Sequence, residues 1–254
     1  MPEVMEVMDP SSQTIIERLN AIKEEIKQSL SDKRKQDEDE ICVVAVSKIK
    51  PKSMIIEAYQ NGVRDFGENY VNEIIEKSND PEVLEMCPDI KWHFIGHLQS
   101  NKTAKLLNCP NLYMLHTLDS IKLAEIVQKE MIKVGKSEPL KVMIQVNTSN
   151  ETNKSGIKEG EVDSLAKYII ENCSRLELCG FMTIGAPDYN TELGPNPEYQ
   201  MLINIRDRVS SLYDVNNLKL SMGMSKDFIH AVQLGSSYVR IGERIFGPRQ
   251  KNQK

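Results

Sequence analysis

A lysine stands at the end of an apolar, β-branched run in the segment ICVVAVSKIKPKSM, residues 41–54. Alternation along a strand places Val44, Val46 and Lys48 on one face. A lysine held among apolar side chains loses proton affinity, and its neutral amine can form a Schiff base with a carbonyl compound. A solvated lysine at a strand exit is the alternative, and it fits Lys50 and Lys52.

Two later segments carry residue types that bind an anion. Ser225 follows the run LSMGM and is predicted to cap the helix SKDFIHAVQLG, which leaves amide groups after it for a ligand. Gly242, in VRIGERIFG, lets the backbone turn after another strand. An ordinary helix cap and an ordinary turn glycine are the alternatives for these two residues.

Arg240 lies between Val239 and Ile241 in a short apolar strand. A guanidinium stays charged at any working pH and needs partners when it is enclosed. The residue therefore predicts either a ligand contact or a buried ion pair with a carboxylate, and the sequence leaves both open.

Polar side chains also follow two earlier strands. Asn69 lies in DFGENYVNE and His93 in KWHFIGHLQSNK, and we expect both to form hydrogen bonds at the rim of a site, with capping or core hydrogen bonding as the alternative. His93 and His97 have the spacing of paired metal ligands, but Gly96 interrupts a strand-to-turn segment there. The two imidazoles need not converge, and we predict no metal site.

The elements that must position these residues alternate regularly. From residue 42 onward, helical patterns separate eight apolar runs with strand character: CVVAVS, RDFG, KWHFIG, LYMLHT, LKVMIQVN, LELCGFMTIG, LKLSMG and YVRIG. This alternation predicts parallel strands with right-handed crossovers, and eight units in 254 residues fit an α/β fold of the (β/α)8, TIM-barrel type. The C-terminal strand ends of such a barrel form its site. An open doubly wound sheet is the alternative, although no GxGxxG follows the first strand.

An amphipathic helix is predicted ahead of the barrel. Apolar residues recur at spacings of three and four within residues 11–30, and the charged run SDKRKQDEDE follows. We predict that residues 1–40 form an N-terminal helix and a charged connection that pack on the barrel. Residues 41–249 form the barrel, and residues 250–254 form a tail.

Composition narrows the class of ligand. The formal net charge of -5 argues against a general binder of nucleic acid or anionic membranes, so a small molecule is the expected ligand. Five cysteines without a CxxC pair predict reduced thiols rather than disulfides or a zinc cage. The chain shows neither a secretory leader nor an apolar run of about 20 residues, so we predict a cytoplasmic protein.

Six segments, in this order, resemble the pyridoxal phosphate homeostasis protein family: AVSKIKP, FGENYVNE, WHFIGHLQSNK, GFMTIG, LSMGMSKDF and VRIGERIFG. The resemblance spans about residues 41–249. It implies a single barrel related to the N-terminal domain of alanine racemases, the type III fold of pyridoxal phosphate proteins, without a C-terminal β domain. It also implies that pyridoxal 5'-phosphate is held as an internal aldimine on Lys48.

The resemblance also implies roles for the other candidate residues. Asn69 becomes a contact beside the cofactor ring, Ser225 and Gly242 become ligands of the phosphate, and His93 stays among the cofactor-binding candidates. Arg240 is placed against the pyridine nitrogen. Because a guanidinium cannot accept the proton of a pyridinium, this contact favours a neutral ring, which is a poor sink for a carbanion.

One residue departs from the family pattern. After VRIG the family typically has a threonine or serine whose hydroxyl helps to hold the phosphate, whereas this chain has Glu243. A carboxylate close to a phosphate is repelled. We therefore expect the Glu243 side chain to turn away, toward Arg244 or Lys226, while its amide and that of Gly242 still donate to the anion.

The resemblance predicts a protein that stores, buffers or delivers pyridoxal phosphate without a turnover of its own. The alternative is a racemase-like enzyme, which needs an acid–base group on each face of the cofactor, the second supplied with a C-terminal β domain that we do not expect here. A Schiff-base aldolase acting on a phosphorylated sugar would use the same lysine without a cofactor. The expected partners are the cofactor and, transiently, pyridoxal phosphate-dependent apo-enzymes. We predict a monomer, because a closed barrel has no unpaired sheet edge.

Overall fold

A computed structural model describes residues 14–30, 41–149, 151, 155–185 and 189–248. At its centre, eight parallel strands follow one another in sequence order and close into a barrel through the pairing of the first strand with the last. The strands are β1 (Cys42–Val46), β2 (Asp65–Glu68), β3 (Lys91–Phe94), β4 (Leu112–Leu118), β5 (Leu140–Gln145), β6 (Leu176–Met182), β7 (Lys219–Met224) and β8 (Tyr238–Ile241). The predicted (β/α)8 barrel is confirmed, and the open-sheet alternative is wrong.

Helices surround the barrel and connect its strands. They are α1 (Ile15–Ser29), α2 (Lys52–Gln60), α3 (Val71–Ser78), α4 (Pro81–Met86), α5 (Thr103–Leu107), α6 (Ile121–Val134), α7 (Val162–Asn172), α8 (Pro197–Tyr213), α9 (Phe228–Gln233) and α10 (Glu243–Phe246). Helix α3 is not predicted from the sequence, because its buried face is completed by Lys77 and Ser78 rather than by apolar residues alone. Helix α4 is not predicted either, because it has a single buried residue, Val83.

The apolar core lies between the outward faces of the strands and the helices. Ala45, Phe66 and Trp92 belong to it. The predicted N-terminal helix is present as α1, which starts at a capping box formed by Thr14 and Glu17 and packs against α2, α9 and α10.

The division of the chain at residues 40 and 249 stays a prediction, since residues 1–13, 31–40 and 249–254 lie outside the described part of the chain. Among the helices that are described, none combines the length and the apolar character needed to cross a membrane.

Candidate functional site

A cavity of about 330 Å³ opens at the C-terminal mouth of the barrel, where the carboxyl ends of parallel strands meet. Its volume lies at the lower end of the range for small-molecule sites. Five of the six residues predicted to bind a cofactor line it: Lys48, Asn69, Ser225, Arg240 and Gly242. Residues more than 190 positions apart in the chain are thus gathered at one mouth.

Lys48 reaches the cavity because the alternation of β1 continues past its last residue. Val46 and Lys48 both line the cavity, whereas Ala45 packs in the outer core. Ser47 faces away from the cavity and is fully buried, where it donates a hydrogen bond to Glu68 Oε1 at 2.7 Å. The inward register predicted for the lysine is confirmed, and its role as the attachment site stays a prediction.

Arg240 lies in the wall of the cavity with its side chain buried. Its Nη1 donates to Ser221 Oγ and its Nη2 to the Thr183 carbonyl, each at 2.7 Å. Burial lowers the pKa of the guanidinium, while Tyr199 and Asp227 act in the opposite direction. Neither hydrogen-bond acceptor is a carboxylate, so the buried ion pair that the sequence left open as an alternative is not observed among the described residues.

Asn69, which follows β2 and lines the cavity, carries an unsatisfied hydrogen-bond acceptor. Its Oδ1 is buried and has no hydrogen-bond partner within the described part of the protein. A buried polar atom in this state is destabilising, and a donor on a ligand would satisfy it. The position of the residue depends on Gly96, since a Cβ at that glycine would lie 1.9 Å from the Asn69 carbonyl oxygen.

The turns after β7 and β8 form the side of the cavity predicted to hold an anion. Ser225 lies in the first of these turns, but α9 begins only at Phe228 and its N-cap is Asp227. The prediction that Ser225 caps this helix is therefore wrong, because Asp227 Oδ1 closes the turn by accepting from the Met224 amide at 2.7 Å. Gly242 lets the second turn approach β1, since a Cβ there would lie 3.3 Å from the Val46 carbonyl oxygen.

Glu243 is exposed at the start of α10 and borders the cavity. Its expected partner Arg244 is engaged elsewhere: both terminal nitrogens of that guanidinium donate to Glu25 of α1, and the group lies over the Phe228 ring. The turn of the Glu243 side chain toward Arg244 or Lys226 stays a prediction.

His93 does not line the cavity, contrary to the sequence-based expectation. Its ring is fully buried, with Nε2 2.9 Å from Asp65 Oδ1 and Nδ1 2.9 Å from His116 Nε2. Ile95, two residues further on, does line the cavity, so His93 shares its inward face but lies one layer deeper. His97 is instead exposed beside Asp119, and the two imidazoles do not converge.

The bond between His93 and His116 belongs to a chain that crosses the barrel interior. His116 Nδ1 lies 3.1 Å from Ser221 Oγ, the same oxygen that accepts from Arg240. Because an arginine can only donate and a carboxylate can only accept, the chain is satisfied when all its hydrogen bonds run from Arg240 toward Asp65 and both imidazoles are neutral. Burial lowers the pKa of both histidines, that of His116 to well below its usual range, which agrees with the neutral forms.

Three residues that hold Arg240 directly or through one another are not predicted from the sequence: Ser221, His116 and Thr183. The only signal for them was strand alternation, which gives the face of a residue but not its partner. Within the described residues, no group of three or more potential metal ligands is found.

Known proteins are similar to this chain in both sequence and fold. The family profile for the alanine racemase N-terminal domain matches residues 19–250. A human pyridoxal phosphate homeostasis protein is 46% identical over 240 residues, which make up 93% of this chain and 87% of the human one.

Two solved structures show the same architecture. PipY of Synechococcus elongatus PCC7942 with PLP bound has a TM-score of 0.76 at 28% identity and covers 92% of this chain and 100% of its own. An alanine racemase of Clostridium difficile 630 in complex with cycloserine has a TM-score of 0.67 over 94% of this chain and 60% of its own. At 16% identity, the second comparison shows a common fold alone.

Proposed function

The chain belongs to the pyridoxal phosphate homeostasis protein family, and from this premise we propose that it binds pyridoxal 5'-phosphate in the cavity at the barrel mouth. One observation carries the proposal: a lysine amine, a buried guanidinium and the unpartnered Asn69 Oδ1 meet in one cavity. A nucleophilic amine, a hydrogen-bond donor and a hydrogen-bond acceptor together fit an aldehyde carried on a polar heteroaromatic ring.

Each residue of the cavity has a distinct part in the proposed binding. Lys48 holds the cofactor covalently as a Schiff base, and Asn69 accepts a hydrogen bond from a polar group of the ring. Arg240 faces the ring nitrogen and can only donate to it, which keeps the ring neutral. The Ser225 hydroxyl and the Gly242 amide donate to the phosphate. When bound, the cofactor supplies an aldehyde carbon and an electron-withdrawing ring.

The function proposed for this binding is intracellular homeostasis of pyridoxal phosphate, by storage, buffering or delivery, without a turnover of its own. Two observations support it: the human relative is a pyridoxal phosphate homeostasis protein, and Arg240 lies in the cavity wall. The racemase-like alternative is not favoured, because the human relative that is 46% identical over 93% of this chain is a homeostasis protein, whereas the solved alanine racemase is only 16% identical.

The proposal extends to the setting in which the protein works. A cytoplasmic monomer would take up the cofactor and pass it transiently to pyridoxal phosphate-dependent apo-enzymes. The closed barrel supports the monomer, since its eight strands leave no unpaired edge for another chain.

Two measurements on the purified full chain test the proposed function. Titration with pyridoxal phosphate should give a yellow protein with one borohydride-trapped adduct per chain; a Schiff-base aldolase would show no need for this cofactor. Incubation of the loaded protein with each L-amino acid in deuterated water should give little exchange at Cα. Rapid exchange with any of them would place the protein among the enzymes.

A further inference from the structure

The turn that carries Lys48 has an unfavourable backbone conformation. The Lys50 amide donates to the Ser47 carbonyl at 3.0 Å, which closes a four-residue turn with Lys48 and Ile49 at its centre. Ile49 has a φ of 61°, a region that favours glycine and disfavours β-branched residues. Its side chain is 62% exposed, so apolar packing does not explain the conformation.

A cluster of charged residues outside the barrel holds this turn on both sides of the lysine. Lys77 of α3 is buried, and its Nζ donates to the Ser47 carbonyl at 2.8 Å. The same ammonium lies 2.8 Å from Glu68 Oε1 and 2.6 Å from Glu73 Oε1. Glu73 Oε1 also accepts from the Ile49 amide at 2.5 Å. We call Lys77, Glu68 and Glu73 the clamp.

Stability alone does not account for the clamp. A buried ion pair gains little over well-packed apolar residues, because its desolvation offsets its Coulomb energy. Glu68 is fully buried, and its Oε2 has no hydrogen-bond partner among the described residues. Strained backbone that persists beside such a cluster is typical of functional sites, where the surrounding structure over-determines one conformation.

We propose that Lys77 is a positioning residue for Lys48, and that the clamp keeps the Lys48 amine directed into the cavity. The carbonyl before Lys48 and the amide after it are both bonded to the clamp, so rotation of this backbone segment toward solvent would break the buried bond from Lys77 to Ser47 or the exposed bond from Ile49 to Glu73.

The inference rests on the proposed function, since the step it serves is condensation of this amine with the cofactor aldehyde. In that step a carbon–nitrogen bond forms and one water leaves. Lys77 touches neither reacting atom and acts only through the turn.

The test compares Lys77→Met with the wild-type full chain in three measurements. Without cofactor, hydrogen exchange should show that the Ile49 amide loses its protection. With pyridoxal phosphate, stopped-flow absorbance should show Schiff-base formation slowed by about ten- to a hundredfold, as expected for a misplaced nucleophile. With pyridoxine 5'-phosphate, which has no aldehyde, the affinity should be unchanged. Parallel loss of this affinity, or an unchanged rate despite an exposed Ile49 amide, would overturn the inference.

A second substitution distinguishes positioning from general damage. Glycine adopts a positive φ without a steric penalty. Adding Ile49→Gly to Lys77→Met should therefore recover part of the lost rate, and a double variant as slow as the single one would contradict the role of the strained turn.

Two further variants complete the design. If Lys77→Met does not fold, Glu73→Ala removes the acceptor of the Ile49 amide and one of the two carboxylates paired with Lys77, while the bond from Lys77 to the Ser47 carbonyl stays. It should give a smaller loss of rate, again with unchanged affinity for pyridoxine 5'-phosphate; an unchanged rate would count against the clamp. Lys52→Met is the matched control, since Lys52 forms an ion pair with Asp80 on the surface. The proposed function fails separately, if the wild-type protein forms no adduct on Lys48.

Discussion

The mouth of the barrel and the layer below it use similar polar residues but satisfy them differently. In the interior, Asp65, His93, His116 and Ser221 form one continuous hydrogen-bonded chain, and both nitrogens of each imidazole have a partner. At the mouth, Asn69 Oδ1 is buried without a partner among the described residues. The difference lies in hydrogen bonding rather than in residue type.

Arg240 stands at the boundary between these two regions and shows what the difference means. Its two terminal nitrogens donate inward, to Ser221 and Thr183, while the residue also lines the cavity. The complete set of hydrogen bonds in the interior holds the guanidinium in one orientation. The polar groups at the mouth that lack a partner stay available to a ligand. Substitutions at the mouth should therefore change binding more than stability, and those in the interior should do the reverse.

The largest effect is expected for Lys48→Ala at the mouth, which should abolish the borohydride-trapped adduct because the substitution removes the amine that the inward register of β1 directs into the cavity. Thermal unfolding of the cofactor-free protein should change little. Lys52→Ala is the control and should keep the adduct. If peptide mapping found the adduct on Lys50 or Lys52, the assignment of the attachment site to Lys48 would be wrong.

Removal of the phosphate from the ligand should have the next largest effect. Each charge-assisted hydrogen bond to the phosphate contributes about 1.5 to 3 kcal/mol, so pyridoxal should bind at least about tenfold more weakly than pyridoxal phosphate. Ser225→Ala should weaken binding of the phosphorylated form only. Equal affinities in calorimetry would place the phosphate outside the cavity.

Glu243→Thr should increase the affinity of the barrel mouth for pyridoxal phosphate. The substitution removes a carboxylate that borders the cavity and adds a hydroxyl donor, so it should tighten pyridoxal phosphate binding by about 1 to 2 kcal/mol, roughly tenfold in Kd. The gain should be smaller for pyridoxal. Weaker binding, or an equal gain for both ligands, would show that Glu243 itself contributes to the site.

The smallest effect concerns the interior and the dependence of stability on pH. Burial lowers the pKa of His93 and of His116 in the folded protein, so the unfolded chain binds protons first as the pH falls through about 6.5. Stability that is present above this pH should be lost below it, by at most about 1.4 kcal/mol per pH unit for each histidine.

His116→Gln should reduce this slope in urea unfolding of the cofactor-free protein, because it removes one of the two buried groups that take up a proton on unfolding. His97→Gln is the matched control, since His97 is exposed, and it should leave the slope as it is. A slope in His116→Gln equal to that of the wild type would show that the interior chain does not couple folding to pH.

The amino-acid sequence by itself determined the barrel and the residues at the ends of its strands. Eight alternating runs and the helical patterns between them are local properties, so the strand order and the inward register of Lys48 follow from period and length. The same alternation applied to His93 correctly gives an inward face. It does not give its depth, because depth depends on where β3 stands against its neighbours.

Only the tertiary structure decided which inward polar groups meet. The bond between His93 and His116 requires the stagger of β3 against β4, which shifts at His93, and the bond to Ser221 crosses the barrel between strands that are not neighbours. In the sequence, Lys77 is one more charged residue of a polar segment, and its contact with the Ser47 carbonyl arises when α3 docks beside the turn. Local periodicity sets the face that a side chain takes, whereas strand stagger and helix docking set its partners.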